Sequence, residues 1–317
     1  MEGILVINKP QEWTSHDCVA VCRRATGVKR VGHGGTLDPM AEGVLPVFVG
    51  RATRIMEYMD LGCKTYQCHM RLGLVTDTED IWGEVLEENS TDEITEDQIR
   101  QVVSSFRGDI LQKPPMYSAL KVKGRKLYEY ARQGIAVEIQ ARSVTIERLE
   151  IEEIDLNQKE VVFEVTCSKG TYIRSLCRDI GEKLGCGAVM SGLTRTVSGA
   201  FDLERSLQPE EVKQMSQDEI EPYLLPVDFP LIHFGKCTMP KDRALYFVSG
   251  NSIRWHQIGV TKAPEEGLSG RNPRDIAYGQ MYCVYEQESG LFLGTGYYCE
   301  EEMTLKADKI FVTRQEL

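Results

Sequence analysis

The chain lacks the features that mark membrane, metal-binding and disulfide-stapled proteins. No run approaches the ~20 apolar residues of a transmembrane helix, and the N-terminus carries no secretory-signal pattern. A cytoplasmic protein is therefore expected. Histidine is scarce, at five residues, and none pairs with cysteine at a zinc-ligand spacing. The ten cysteines include no Cys-x-x-Cys. Several lie inside apolar patterns, as at Cys18, Cys22, Cys68 and Cys167, which suits reduced, buried thiols better than a disulfide framework. A Walker-type phosphate loop is missing, as are internal repeats and low-complexity tracts. No metal and no nucleotide cofactor is expected.

Positive charge is also in short supply. Thirty-seven Lys and Arg face 48 Asp and Glu, a net charge of −11, which argues against a generic nucleic-acid binder. The shortage is uneven, however. Between positions 113 and 132, Lys113, Lys121, Lys123, Arg125, Lys126 and Arg132 oppose only Glu129. Arg23, Arg24, Lys29 and Arg30 form a second basic group, while acid gathers at 87–97, 210–221 and 300–302. An acidic body with one basic face can still steer RNA to that face. The 317 residues suffice for a large domain with a smaller one, and 42% hydrophobic residues is ordinary for a globular chain.

Periodicity supplies the elements. Gly3 to Ile7 reads as a buried strand. Thr14-Ser15 then caps a helix that turns Cys18, Val19 and Cys22 inward and ends before Gly27. Val44 to Val49 reads as another strand, and Ala52, Ile55, Met56 and Met59 mark a helical stripe. From Lys64 to Leu72 the pattern alternates, with Tyr66, Cys68, Met70 and Leu72 on one face. Thr95 and Gln98 form a capping box for a helix carrying Ile99, Val102, Val103 and Phe106. Glu160 to Cys167 alternates again, and a helix begins near Thr171 with Ile173, Leu176, Cys177, Ile180 and Leu184 inward. Arg174 lies off that stripe in the first turn. An acidic, proline-bounded stretch from Pro209 to Pro226 reads as a connector, and short alternating runs beyond Ile232 suggest a small β-rich domain.

The stretch from Val31 to Pro46 stands apart. Its glycines predict a tight loop, and Pro39 pushes Asp38 out of the α region, fixing where its carboxylate leaves the chain. Asp38 then either N-caps a short helix opened by Pro39 or serves chemistry. Gly32-His33-Gly34-Gly35-Thr36-Leu37-Asp38-Pro39, with Ala41, Gly43-Val44-Leu45-Pro46 and Gly50, closely resembles the active-site motif of the TruB family of tRNA pseudouridine-55 synthases. Ile7-Asn8-Lys9-Pro10 with Thr14-Ser15 resembles that family's opening motif and is assigned to architecture. Lys64-Thr65-Tyr66, Thr76 to Asp80 with Gly83, the stretch Gln112 to Tyr128, Cys167-Ser168-Lys169-Gly170-Thr171-Tyr172-Ile173-Arg174 and Leu193-Thr194-Arg195-Thr196 continue the match over roughly residues 3 to 200.

The resemblance implies an α/β (α+β) pseudouridine synthase fold: a mixed, largely antiparallel sheet around a central cleft. Residues 1–230 would form the catalytic domain with a thumb-like insertion at about 111–145. Residues 231–317 would form a small β-rich, PUA-like domain. It also implies that Asp38, Arg174 and Tyr66 are catalytic, with Arg174 pairing with Asp38 and Tyr66 stacking on the target base. Tyr172 and Leu193 would line the uridine site, His33 would fill the space left by the flipped base, and Lys121 in the thumb would touch RNA. The partner would be the T stem-loop of tRNA, bound by a monomer, and the reaction the conversion of uridine 55 to pseudouridine. Two readings compete with this one. A tRNA-binding chaperone with a vestigial site would not need both Asp38 and Arg174. A nucleoside-bond hydrolase would usually need a second carboxylate, and none stands in the matched motifs. Ser118-x-x-Lys121 also fits a serine-nucleophile pattern, but its partner motifs are missing.

Overall fold

The computed structural model describes residues 1–118, 120–122, 124–135, 137–268 and 270–317, without the side chains of residues 60 and 61. Lys123 of the basic group thus lies outside the described residues. A nine-stranded sheet organises the first two thirds of the chain. Its order is Gly3–Lys9, Glu42–Val49, Ala188–Ser198, Lys64–Leu72, Glu160–Cys167, Arg142–Asp155 and Gly108–Gln112, with Val31–His33 and Phe201–Asp202 paired at the side. Every pairing is antiparallel except that of Glu42–Val49 with Ala188–Ser198. The sheet is therefore mixed and largely antiparallel, as expected.

Alternation along Lys64–Leu72 turns Tyr66, Cys68, Met70 and Leu72 into one core. Against them pack the apolar stripes of the helices Glu96–Ser104 and Ile173–Leu184. The capping box expected at Thr95 and Gln98 is present. At the other end of the sheet, helix Ser15–Thr26 covers Leu5, Ile7, Leu45 and Val47 with Cys18, Val19 and Cys22, and Gly27 closes it in the left-handed region. All ten cysteines are free, and Cys18, Cys22, Cys68 and Cys167 are buried. Among the described residues no helix is long and apolar enough to cross a membrane.

Two local expectations are revised. Asp38 caps no helix: Asp38 to Ala41 is a lone turn closed by the Ala41 amide on the Asp38 carbonyl at 3.1 Å, with proline in its second position. The stripe at Ala52, Ile55, Met56 and Met59 winds as 3₁₀ turns over Gly50–Leu61 rather than as an α-helix. Contacts override propensity here, one within the segment and others to distant residues. Thr53 Oγ1 donates to the Gly50 carbonyl at 2.8 Å, and Arg54 and Tyr58 reach the C-terminal sheet.

That second sheet has six strands in the order Ile253–Arg254, Thr304–Ile310, Phe292–Cys299, Met281–Glu286, Gly235–Met239 and Gly259–Lys262. It shares a core with the first: Ile4, Val44, Phe48, Ile55 and Phe201 pack with Phe234, Tyr278, Met281 and Phe311. Between Gly108–Gln112 and Arg142–Asp155 the chain makes an excursion over residues 113–141. This carries the small hairpin of Lys121–Val122 with Arg125–Lys126 and the helix Leu127–Ala131.

Candidate active site

The turn that carries Asp38 is braced on both sides. The Ser15 hydroxyl accepts from the Leu37 amide at 3.0 Å and donates to the Leu37 carbonyl at 3.2 Å. The Lys9 ammonium, fully buried, donates to the carbonyls of Pro10, Trp13 and Pro39 at 2.9, 2.7 and 3.0 Å. These ties hold the residues immediately before and after Asp38. Its side chain, 45% exposed, is left to face the cavity. Burial pushes the Lys9 ammonium down to about 8.

Arg174 reaches the same point from the opposite side of the cleft. Its Nη2 lies 2.9 Å from Asp38 Oδ2 and also donates to the Tyr117 carbonyl at 2.9 Å; Nη1 donates to the Thr78 carbonyl at 3.0 Å. Asp80 Oδ2 stands 3.8 Å from Nη1. A first-turn arginine would ordinarily be solvated, but here it is buried and spends its fork on one carboxylate and two carbonyls. Asp80 is thus a second carboxylate beside the pair, which overturns the expectation that none stands in the matched motifs. Its Oδ1 is engaged locally, accepting from Thr78 Oγ1 at 2.7 Å and the Trp82 amide at 3.2 Å, and burial pushes its carboxyl upward.

Asp38 and Arg174 sit in the wall of a cavity of about 480 Å³, a volume suited to one nucleoside. Tyr66, Tyr172 and Leu193 complete much of the lining, so five of the residues singled out in the sequence converge. Register explains the convergence: Tyr66 lies opposite Arg195 and Cys68 opposite Leu193, which sets Tyr66 and Leu193 on neighbouring strands of the floor. Burial pushes the Tyr66 phenol upward against the pull of the Arg195 guanidinium, and the ring is neutral at physiological pH. Arg195 is itself wholly buried, donating to the carbonyls of Val44 at 2.8 Å and Gly35 at 3.2 Å. Tyr172 is the N-cap of the helix that carries Arg174.

His33 and Lys121 do not join that lining. His33 lies on the short strand beside Glu42–Val49, half-buried, with the ring of His16 edge-on at 5.3 Å. Burial and that neighbour hold its imidazole below the usual value. Lys121 is exposed on the hairpin. The Ser118 hydroxyl is buried with no hydrogen-bond partner among the described residues, so Ser118 and Lys121 form no nucleophile–base pair. Lys64, Tyr117 and Tyr128, read in the sequence as members of the matched stretches but not as part of the uridine site, also stand in the cavity wall. The signal for Tyr128 was present, an aromatic ring within the basic run. Lys126 and Arg132 now lie over that ring at 5.3 and 5.5 Å. A larger groove of about 1,020 Å³ runs behind the excursion and includes neither Asp38 nor Arg174. Among the described residues no group of three or more His, Cys, Asp or Glu could hold a metal ion.

A carboxylate paired with an arginine in the wall of a cavity lined by two tyrosines and a leucine, at the cleft of a mixed α/β sheet, is a candidate enzyme site. Comparison with known proteins gives the family. The TruB family pseudouridylate synthase N-terminal domain matches residues 23–173, and the tRNA pseudouridylate synthase B C-terminal domain matches 174–232. The tRNA pseudouridine synthase B of Alkaliphilus oremlandii is 44% identical over 98% of this chain and 97% of its own. That of Geobacillus thermodenitrificans is 48% identical over 74% and 80%. A solved Cbf5–Nop10–Gar1 complex contains a chain that superimposes with a TM-score of 0.73 at 26% identity, covering 99% of this chain and 86% of that one. The chain belongs to the TruB family of pseudouridylate synthases, isomerases that modify RNA.

Proposed function

We propose that the chain isomerises uridine 55 in the T-loop of tRNA to pseudouridine, binding the T stem-loop as a cytoplasmic monomer. The relatives named tRNA pseudouridine synthase B support tRNA as substrate. The site assignment is carried by the Asp38–Arg174 pair, 2.9 Å apart in the wall of the nucleoside-sized cavity. In the reaction the N1–C1′ bond breaks, the uracil turns, and a C5–C1′ bond forms. A proton leaves C5 and one is gained at N1, so atoms balance without redox change or phosphate transfer.

The uridine must first leave its stack, at a cost of a few kcal/mol. His33, on the strand that leads into the Asp38 loop, takes the vacated place on the RNA side. Tyr66 stacks on the flipped base while Leu193 and Tyr172 close the sides. Asp38 presents its carboxylate to the electron-poor C1′ that develops as the N1–C1′ bond breaks. Arg174 orients that carboxylate and offsets its desolvation once RNA covers the cleft. Lys121 and its basic neighbours touch phosphates and fix register rather than sequence.

Asp38→Asn removes charge and almost no volume. It is expected to abolish pseudouridine formation in a tRNA transcript while leaving the fold and tRNA affinity nearly intact. Pseudouridine mapping and a binding titration measure both, with mass spectrometry to exclude deamidation. Wild-type turnover would refute the assignment, and release of free uracil by the unaltered protein would favour hydrolysis.

A further inference from the structure

The helix Ile173–Leu184 grips more than Asp38. Three ties at successive levels run from it to one short stretch at the start of the excursion. At the N-cap, the Tyr172 amide donates to Gln112 Oε1 at 2.8 Å, and the Tyr172 carbonyl accepts from Gln112 Nε2 at 3.1 Å. In the first turn, Arg174 Nη2 donates to the Tyr117 carbonyl at 2.9 Å. One turn further, Arg178 Nη2 donates to the Lys113 carbonyl at 3.0 Å. Between those two carbonyls stand Pro114 and Pro115, both buried, whose fixed φ stiffens the stretch.

The same helix face holds the turn at 76–80. Arg174 Nη1 donates to the Thr78 carbonyl, the Ser175 hydroxyl donates to Glu79 Oε2 at 2.7 Å, and Arg178 Nη1 pairs with Glu79 Oε1. Asp179 Oδ1 accepts from Arg178 Nε and Nη2 at 2.9 and 2.6 Å, and Glu182 lies 3.8 Å away. Arg178 and Glu79 are 20% and 13% exposed, largely removed from water, and neither lines the cavity that holds Asp38.

We propose that Arg178 and Glu79 form a positioning pair for the isomerisation. They lock the leg of the thumb-like excursion and the turn 76–80 onto one helix, so that Arg174 presents its guanidinium edge squarely to Asp38. The geometry makes the coupling direct. Arg174 shares a single Nη2 between Asp38 and the Tyr117 carbonyl, so a shift of that carbonyl moves the group that orients the carboxylate. Displacements of about 1 Å from sites remote from the chemistry can cost up to about 100-fold in rate. The pair touches no reacting atom, and its loss therefore falls on kcat rather than on KM for tRNA. The inference rests on the reading of Asp38 as the catalytic carboxylate.

The test is steady-state kinetics of the full chain on an unmodified tRNA transcript, for Arg178→Met, Arg178→Lys, Glu79→Gln and the double variant Glu79→Gln/Arg178→Met, with Asp38→Asn alongside. Arg178→Met should lower kcat about tenfold with KM within about threefold. Arg178→Lys, which keeps the cation beside Glu79, should recover most of the loss, and the double variant should fall by less than the product of the single effects. If Arg178→Met does not fold, Glu79→Gln is read by the same criteria. Unchanged kcat with a lower Tm would make the pair a mere strut, and a raised KM with kcat intact would make Arg178 an RNA contact; either outcome overturns the proposal. An inactive Asp38→Asn beside fully active pair variants sinks this inference alone, whereas an active Asp38→Asn sinks the catalytic reading beneath it.

Discussion

Lys9 carries an ammonium group into a place wholly removed from solvent. An ammonium has three hydrogens, and here three backbone carbonyls accept them, one of which, on Pro39, adjoins the site aspartate. In the unfolded chain this lysine keeps its proton to about 10.5, whereas in the folded chain it releases it near 8. Between those values the unfolded state binds more protons, so the stability contributed at this position rises with pH across that window. The unfolding free energy of the wild type minus that of Lys9→Met should therefore rise from about pH 7 to about pH 9.5, by at most about 1.4 kcal/mol per pH unit. Activity should move the other way. A neutral amine has one donor fewer for three carbonyls, the Asp38 turn loosens, and kcat falls on an alkaline limb centred near 8 that Lys9→Met lacks. Denaturation at the two pH values and a kcat profile measure both. A signed difference that falls with pH would show that the three carbonyls hold the proton more tightly than burial expels it.

At the scale of elements, close backbone approach is what builds the cavity floor. Gly43, at φ +102°, lies beside Arg195 in the parallel pair, and a Cβ there would meet the Arg195 carbonyl oxygen at 2.2 Å. Gly43→Ala should cost about 3 kcal/mol or more, from strain in the left-handed region plus displacement of a strand that also carries Leu193. A denaturant midpoint lowered at unchanged slope would record it. A midpoint within experimental error of the wild type would mean the two strands can part without penalty. Elements of this kind were legible where burial imposes a period. Lys64–Leu72, Glu160–Cys167 and the helix carrying Arg174 could be read directly, because each has one face in the core. The 3₁₀ turns of Gly50–Leu61 could not, since side chains far along the sequence decide their winding. Asp38, Arg174, Tyr66, Tyr172 and Leu193 were found through motif wording, and local pattern alone would have left Asp38 as a helix cap. Asp80 and Tyr117 were not placed at the site because their contacts with Arg174 cross the cleft. No periodicity encodes that.

Over the whole molecule, the C-terminal sheet is fastened to the first as tightly as parts of one core. Besides the shared apolar cluster, Arg51 links Glu2 and Glu316, Lys309 pairs with Glu57 at 2.8 Å, and buried Asp308 accepts from Tyr58 and Thr295. Removing the chain beyond Ile232 would strip that core, so the origin of RNA affinity is better tested by exposed charges. A molecule of net charge −11 must hold RNA through a local excess of cations, and the excursion supplies one. Lys121 and Arg125 are exposed there, beside Lys126, and Arg125 lies over Tyr130 at 5.2 Å. For every phosphate the protein no longer neutralises, the slope of log affinity against log salt flattens by about 0.7–0.9. Replacing Lys121, Arg125 and Lys126 together by alanine should therefore flatten the slope by about 2. Replacing the exposed Lys241, Arg254 and Lys262 of the C-terminal region should change it by much less. tRNA binding across a salt series compares the two triple variants with the wild type. An unaltered slope in the first and a collapsed one in the second would move the RNA grip from the excursion to the C-terminal region.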